Sequence, residues 1–350
     1  MKRFIRSLAF TLVLGLLCAC GLQRGTETPA SQTNEPVATT LQPVASDTAD
    51  SPKQLVYIER IEGWDNVRAE FIAAVEKLSE EQGWEFQAYL DSPDQELLEH
   101  AALIVVFGGD ADLTGLIEAN PHAMYILVGV PGASPGDRVA VIGPEGMRPD
   151  QIAFLSGYIS ALTTFNWRVG VIGVGVTGAG QAALRSFING GVFFCGLCRP
   201  SYAPFPEYPT SVNVPASDGE NIVLGLNQLR ELGVTTIGVT HEFSSGAIDL
   251  AIEEAKTDQF LWIGTNPPVQ EKQGQWIATV QPDPASVLGD ILRRLLQGEV
   301  NIIAAMPLDV RDVNEAILTE GKLRVVLETR DALVLGTTDT GVDPQTGLER

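Results

Sequence analysis

Cationic side chains are scarce in this chain: 23 Lys and Arg stand against 44 Asp and Glu, a net charge of −21. That balance argues against nucleic acid and anionic lipid surfaces as partners, because both repel an acidic protein. It does not exclude a small anionic ligand, which local positive charge can hold. Histidines number only three, and His100, His122 and His241 are scattered, so they suggest no zinc cluster. No Ser-His-Asp order, paired catalytic carboxylates or metal-ligand set emerges. The chain therefore reads as a non-enzyme, with no metal and no cofactor expected. A membrane-spanning run is missing at the N-terminus too. The apolar stretch Leu8 to Leu17 is about ten residues, half of what a bilayer span needs.

That short run follows Lys2, Arg3 and Arg6, and the combination suits a cleaved signal peptide over residues 1–19. It ends Leu17-Cys18-Ala19-Cys20-Gly21, which resembles the bacterial lipoprotein processing box. The resemblance makes Cys20 the lipid anchor and the mature N-terminus, holding the protein at the membrane through its acyl chains alone. The alternative is an ordinary secretory signal with two incidental cysteines. Residues 22–52 are rich in Thr, Pro, Ser, Ala and Gln and poor in large apolar side chains. Such a segment cannot offset its ordering entropy, so 20–52 reads as a disordered tether. The expected address is outside the cytoplasm, anchored to the cell membrane and facing outside or periplasm.

The body from about Gln54 to Thr337 alternates strand and helix. Apolar strands are expected at Leu55–Ile61, Phe86–Leu90, Leu103–Phe107, Met124–Val130 and Val139–Ile142. The rhythm restarts with strands Val169–Val174, Ser211–Val214, Thr236–Thr240 and Phe260–Thr265, and helices intervene throughout. Continuous apolar strands between helices mean parallel sheets covered on both faces. The fold class is α/β, with two doubly wound parallel-sheet lobes. Lobe one is placed at 53–144 plus 282–305 and lobe two at 145–281 plus 306–335, with a tail at 336–350. Three strand crossings near Pro144, Gln281 and Met306 form the hinge. Ligands bind beyond the carboxyl ends of such strands, so two facing lobes make a cleft.

The stretch Gln151-Ile152-Ala153-Phe154-Leu155-Ser156-Gly157-Tyr158-Ile159-Ser160-Ala161 resembles a helix of the basic membrane protein, or purine nucleoside receptor, family. Val169-Gly170-Val171-Ile172-Gly173 and Ala183-Leu184-Arg185-Ser186-Phe187 continue the match. Those proteins are substrate-binding lipoproteins of ABC transporters with the type I periplasmic binding fold. The resemblance implies capture of a small polar solute, a nucleoside, sugar or similar, in the interlobe cleft and delivery to an ABC permease. A sensor or interaction module on the same fold, without transport, is the alternative. Three departures fall where the family contacts its nucleoside. Gly63-Trp64-Asp65-Asn66 stands for an Asp, Ser, Phe, Asn string, Gly129 for an Asp, and Thr265-Asn266-Pro267-Pro268 for an acidic pair. They point to a solute outside the standard purine nucleosides.

Candidate ligand contacts follow from strand ends. Trp64, Asp65 and Asn66 offer an aromatic plate with polar neighbours, and Asp65 alternatively caps a helix with Trp64 as its staple. Gly109 and Asp110 follow the third strand, where Asp110 equally suits a helix cap. His241 and Glu242 follow a lobe-two strand at a position that contacts ligand in sugar binders. Asn266 and Gln281 supply neutral amides, which satisfy a polar ligand without burying charge. Arg185 faces either the cleft or solvent. Gly173-Val174-Gly175-Val176-Thr177-Gly178 has dinucleotide spacing but no acidic residue at the end of the next strand, so its amides suit an oxygen-rich ligand group instead. Cys195-Gly196-Leu197-Cys198 is read as a disulfide stiffening the loop to Pro209, with thiol redox as the alternative. Tyr202, Phe205 and Tyr208 suit a lid or an apolar cover.

Overall fold

The computed structural model describes residues 53–350 apart from 62, 92, 94, 110–112 and 199–206. The leader, the tether, Cys20, Asp110, Tyr202 and Phe205 lie outside the described residues. Among the described residues no helix is long and apolar enough to cross a membrane.

Two sheets of six strands carry the fold. The first gathers β1 (Gln54–Glu59), β2 (Glu85–Leu90), β3 (Ala101–Phe107), β4 (Met124–Val128), β5 (Val139–Ile142) and β11 (Ile303–Ala304) in the order β11-β5-β4-β3-β1-β2. Every pairing in it is parallel. The second gathers β6 (Val169–Gly173), β7 (Thr210–Asn213), β8 (Thr236–Val239), β9 (Leu261–Gly264), β10 (Trp276–Pro282) and β12 (Leu308–Arg311) in the order β12-β10-β9-β8-β6-β7. It departs from the expected all-parallel sheet at one edge, where β12 runs antiparallel to β10. Central strands such as Leu103–Phe107 are wholly buried, which is why they read as unbroken apolar runs.

The two sheets repeat one winding. In each, the first strand has the second on one side and the third on the other. That reversal is a topological switch point, where loops leaving the carboxyl ends diverge and open a crevice. The chain passes between sheets three times: after β5, after β10 and after β11. Helices α1 (Asp65–Gln82), α2 (Gln95–Leu98), α3 (Thr114–Ala119) and α8 (Ala285–Leu296) accompany the first sheet. Helices α4 (Pro149–Thr163), α5 (Gly178–Cys195), α6 (Gly219–Glu231), α7 (Ser245–Glu254) and α9 (Glu320–Val334) accompany the second.

Helix α4 is buried almost all round, and its hydroxyls turn inward: Ser156 and Ser160 donate to carbonyls one turn back. It crosses α5 at backbone contact. A Cβ on Gly157 would lie 2.0 Å from the Phe187 carbonyl oxygen, and one on Gly190 1.9 Å from that of Phe154. Helix α5 runs on through Gly190 and Gly191 to Cys195. Gly190 and Gly191 look like helix breakers, but Gly190 is the notch through which α4 passes and Gly191 makes room for the Pro209 ring, 2.4 Å from an added Cβ.

Candidate functional site

The crevice is built from the loops at the two switch points. After β1 the chain enters α1 through Trp64, which holds a left-handed conformation (φ 59°). No side chain caps that helix, so the expected Asp65 cap is not made. Asp65 is the first helical residue and pairs instead with Arg68 at 3.1 Å, while Arg68 also binds the buried Glu59 at 2.8 Å. Trp64 is 4 % exposed, and its ring lies on that of His241 with centroids 4.5 Å apart and planes 21° apart. His241 follows β8 of the second sheet. The stack therefore joins the two lobes across the crevice.

A polar ring surrounds it. Asn266 is 5 % exposed and donates to the carbonyls of His241 (3.2 Å) and Phe243 (2.7 Å), which shapes the loop after β8. Its Oδ1 accepts from Asn66 at 3.4 Å, a second bond between lobes. Gln281, buried in β10, donates to Glu70 of α1 at 3.2 Å. Glu70 in turn pairs with Arg311 of β12, which also holds Asp309 (2.5 Å) and Asp283 (3.3 Å). Burial pushes the Asp283 carboxyl up, against the pull of Arg311.

Glu242 sits behind the stack. Its carboxylate lies 3.4 Å from Nδ1 of His241, and its Oε2 is buried without a hydrogen-bond partner. Thr240 Oγ1 is buried and unpartnered in the same way. Burial lowers the His241 pKa below its usual value, with Glu242 opposing, so the ring is neutral near pH 7. Beneath it, a void lined by Ser156, Thr240, His241 and Thr265 among others offers about 10 Å³ to a water-sized sphere. That is room for one water at most. The crevice is closed on its own side chains.

The remaining candidates have other duties here. Gly109 (φ 93°) turns against Arg60, whose Cβ would lie 2.6 Å from an added Cβ. Arg185 lies on the solvent-exposed side of α5 and not in the crevice, and from there it donates to the Gly347 carbonyl at 2.6 Å. Thr177 Oγ1 accepts from Gly180 at the start of α5, and the Gln345 backbone lies over Gly178. The helix start expected to face a ligand is thus capped and covered from within the chain. Gly129 (φ 62°) has Met147 Sδ 2.4 Å from where its Cβ would be, so an aspartate there would strain the left-handed backbone and displace the Met147 side chain. Cys195 and Cys198 form a disulfide at the end of α5, with Cα atoms 5.4 Å apart. Tyr208 anchors its loop by donating to the Leu232 carbonyl at 2.5 Å. No cluster of His, Cys, Asp and Glu able to hold a metal occurs among the described residues.

Sequence reasoning missed Glu70 and Arg311. Arg311 carried a faint signal as the lone cation in the acidic run Asp309–Asp312. Glu70 carried none.

No family model matches the chain, and no curated protein matches it in sequence. Solved structures match in shape. A solute-binding protein of an ABC transporter system from Aeropyrum pernix aligns with TM-score 0.59 and 13 % identity over 82 % of this chain and 93 % of its own. One from Conexibacter woesei gives 0.60 and 13 % over 82 % and 98 %. A transcriptional activator of the comK gene from Bacillus halodurans gives 0.60 and 10 % over 81 % and 99 %. At these identities the likeness is one of fold. The chain has the two-lobed, type I periplasmic-binding architecture, which transport receptors and regulators share.

Proposed function

We propose that this protein is a two-lobed solute receptor whose ligand enters between Trp64 and His241. The observation that carries the reading is their stack, because it places one ring from each lobe face to face where both switch points converge. Parting the lobes leaves two parallel plates, suited to a small planar polar solute. Asn66, Asn266 and Gln281 supply neutral donors and acceptors around it, and Thr240 and Glu242 supply the unpartnered oxygens. Contacts to both lobes then shift the open–closed equilibrium toward closed. Supply to an ABC permease, and membership of the basic membrane protein family, rest on the resemblance in Gln151–Ala161. Export and anchoring rest on Leu17–Cys20.

Calorimetric titration of nucleosides, sugars and amino acids tests the reading. One class is expected to bind, and Trp64→Ala to weaken it at least tenfold, about 1.4 kcal/mol. Folded protein that binds none of them would overturn it.

A second reading has its own support. A crevice filled by its own rings suits a sensor or interaction module that uses the fold without transport. In that case Trp64→Ala alters partner binding or lobe stability and leaves solute titrations flat.

A further inference from the structure

The last twelve residues do not trail away from the fold. They form a hairpin organised by its own bonds: Asp343 accepts from the amides of Gln345 (3.1 Å) and Thr346 (2.8 Å), and Val342 pairs with Glu349. The hairpin lies along one face of α5. Gln345 covers Gly178, Gly347 packs on Gln181 and Ala182, Arg185 donates to the Gly347 carbonyl, and Asn189 donates to the Thr340 carbonyl at 2.9 Å. Positions 178, 181, 182, 185 and 189 recur at helical spacing, so they make one stripe. This face accepts a peptide, and the occupant is the chain's own C-terminus.

The docking is mostly polar and directed at backbone atoms. Val342 is the one fully buried apolar side chain in the segment, and Leu348 is 60 % exposed. Few apolar contacts mean a low free energy of local release. One further bond reaches beyond α5. Thr340 Oγ1 donates to Asp150 at 2.9 Å, and Asp150 is fully buried at the start of α4. The same carboxylate takes two bonds from Arg148, both 2.9 Å, and Arg148 also pairs with Glu145. Residues 143–148 are the first crossing between the lobes.

We propose that residues 339–350 are a releasable strap: docked on α5 they immobilise the first hinge crossing through Asp150, and undocked they let the lobes part. The proposal goes beyond solute binding and rests only on the hinge, so it is tested without ligand.

Hydrogen exchange on three proteins decides it: the intact chain, the full-length double variant Arg185→Ala, Asn189→Ala, and a chain ending at Thr338. The reporters are the amides of Gly146, Gln151 and Ile152, which bond within the crossing and the first turn of α4. Both altered proteins are expected to exchange at least tenfold faster there while the central strands keep their protection. Faster exchange confined to residues 178–189, or a truncated chain that cannot fold, overturns the strap. Thr340→Val in the full chain isolates the link to Asp150: it should loosen residues 146–152 and leave 178–189 protected. Unchanged exchange at 146–152 removes the coupling. Failure of all solutes to bind would overturn the receptor reading and leave this result standing.

Discussion

His241 concentrates the chemistry of the crevice in one side chain. It is 14 % exposed and held neutral by burial against Trp64, with Glu242 pulling the other way. Its folded pKa is lowered, so between that value and its unfolded value near 6.5 the unfolded or opened form binds the extra proton. Stability from this residue is therefore complete above about pH 6.5 and is lost as pH falls below it. The loss is at most about 1.4 kcal/mol per pH unit of that window. Thermal midpoints measured at pH 7.5 and 5.5 should fall on acidification. His241→Gln should flatten that difference, and an unchanged slope would assign the pH dependence to the carboxylates instead. Gly129 shows the other use of single residues. Its left-handed backbone favours glycine, and an added Cβ would have to displace the Met147 side chain.

At the scale of elements, the α4–α5 crossing turns helix propensity upside down. Alanine at Gly157 would gain about 1 kcal/mol in an isolated helix. Here its Cβ meets the Phe187 carbonyl, a backbone atom that cannot rotate away. Overpacking of that kind costs about 1–3 kcal/mol or more. Gly157→Ala should thus lower the urea midpoint, and a raised midpoint would mean that the helices do not touch there. The same crossing gives Phe154 and Gly157, both within the stretch that carries the family resemblance, a packing role. Within α5, glycine at 190 and 191 reads as a stop signal until α4 is laid across Gly190 and Pro209 against Gly191. Strand positions were the easy part: a strand buried on both faces needs no periodicity to declare itself, and Val139–Ile142 reads the same in sequence and structure.

Across the whole molecule, bonds between the lobes among the described residues include the Trp64–His241 stack, the Asn66–Asn266 amide pair and the Glu70 link to Gln281 and Arg311. Each joins residues remote in sequence, so no local pattern announced them. Trp64, His241, Asn266 and Gln281 were nevertheless nameable, because strand ends in doubly wound sheets are where crevices open. Arg185 was named by the same logic and serves the C-terminal hairpin. The address of the molecule is a separate question that the fold does not touch. Cys20→Ser is expected to move the protein from the membrane fraction to the soluble one, and metabolic labelling with palmitate should be lost with it. Retention of label would place the acylation elsewhere.

Alternating apolar strands and helices determined two α/β lobes by themselves, since burial of both sheet faces writes hydrophobicity directly into the chain. Tertiary structure alone decided that the crevice closes ring on ring, that Gly157 is dictated by the Phe187 backbone, and that residues 339–350 lie docked on α5. The physical reason is common to all three. They are contacts between segments remote in sequence, set by excluded volume and by which polar atoms remain unsatisfied, and neither quantity exists until the chain has folded.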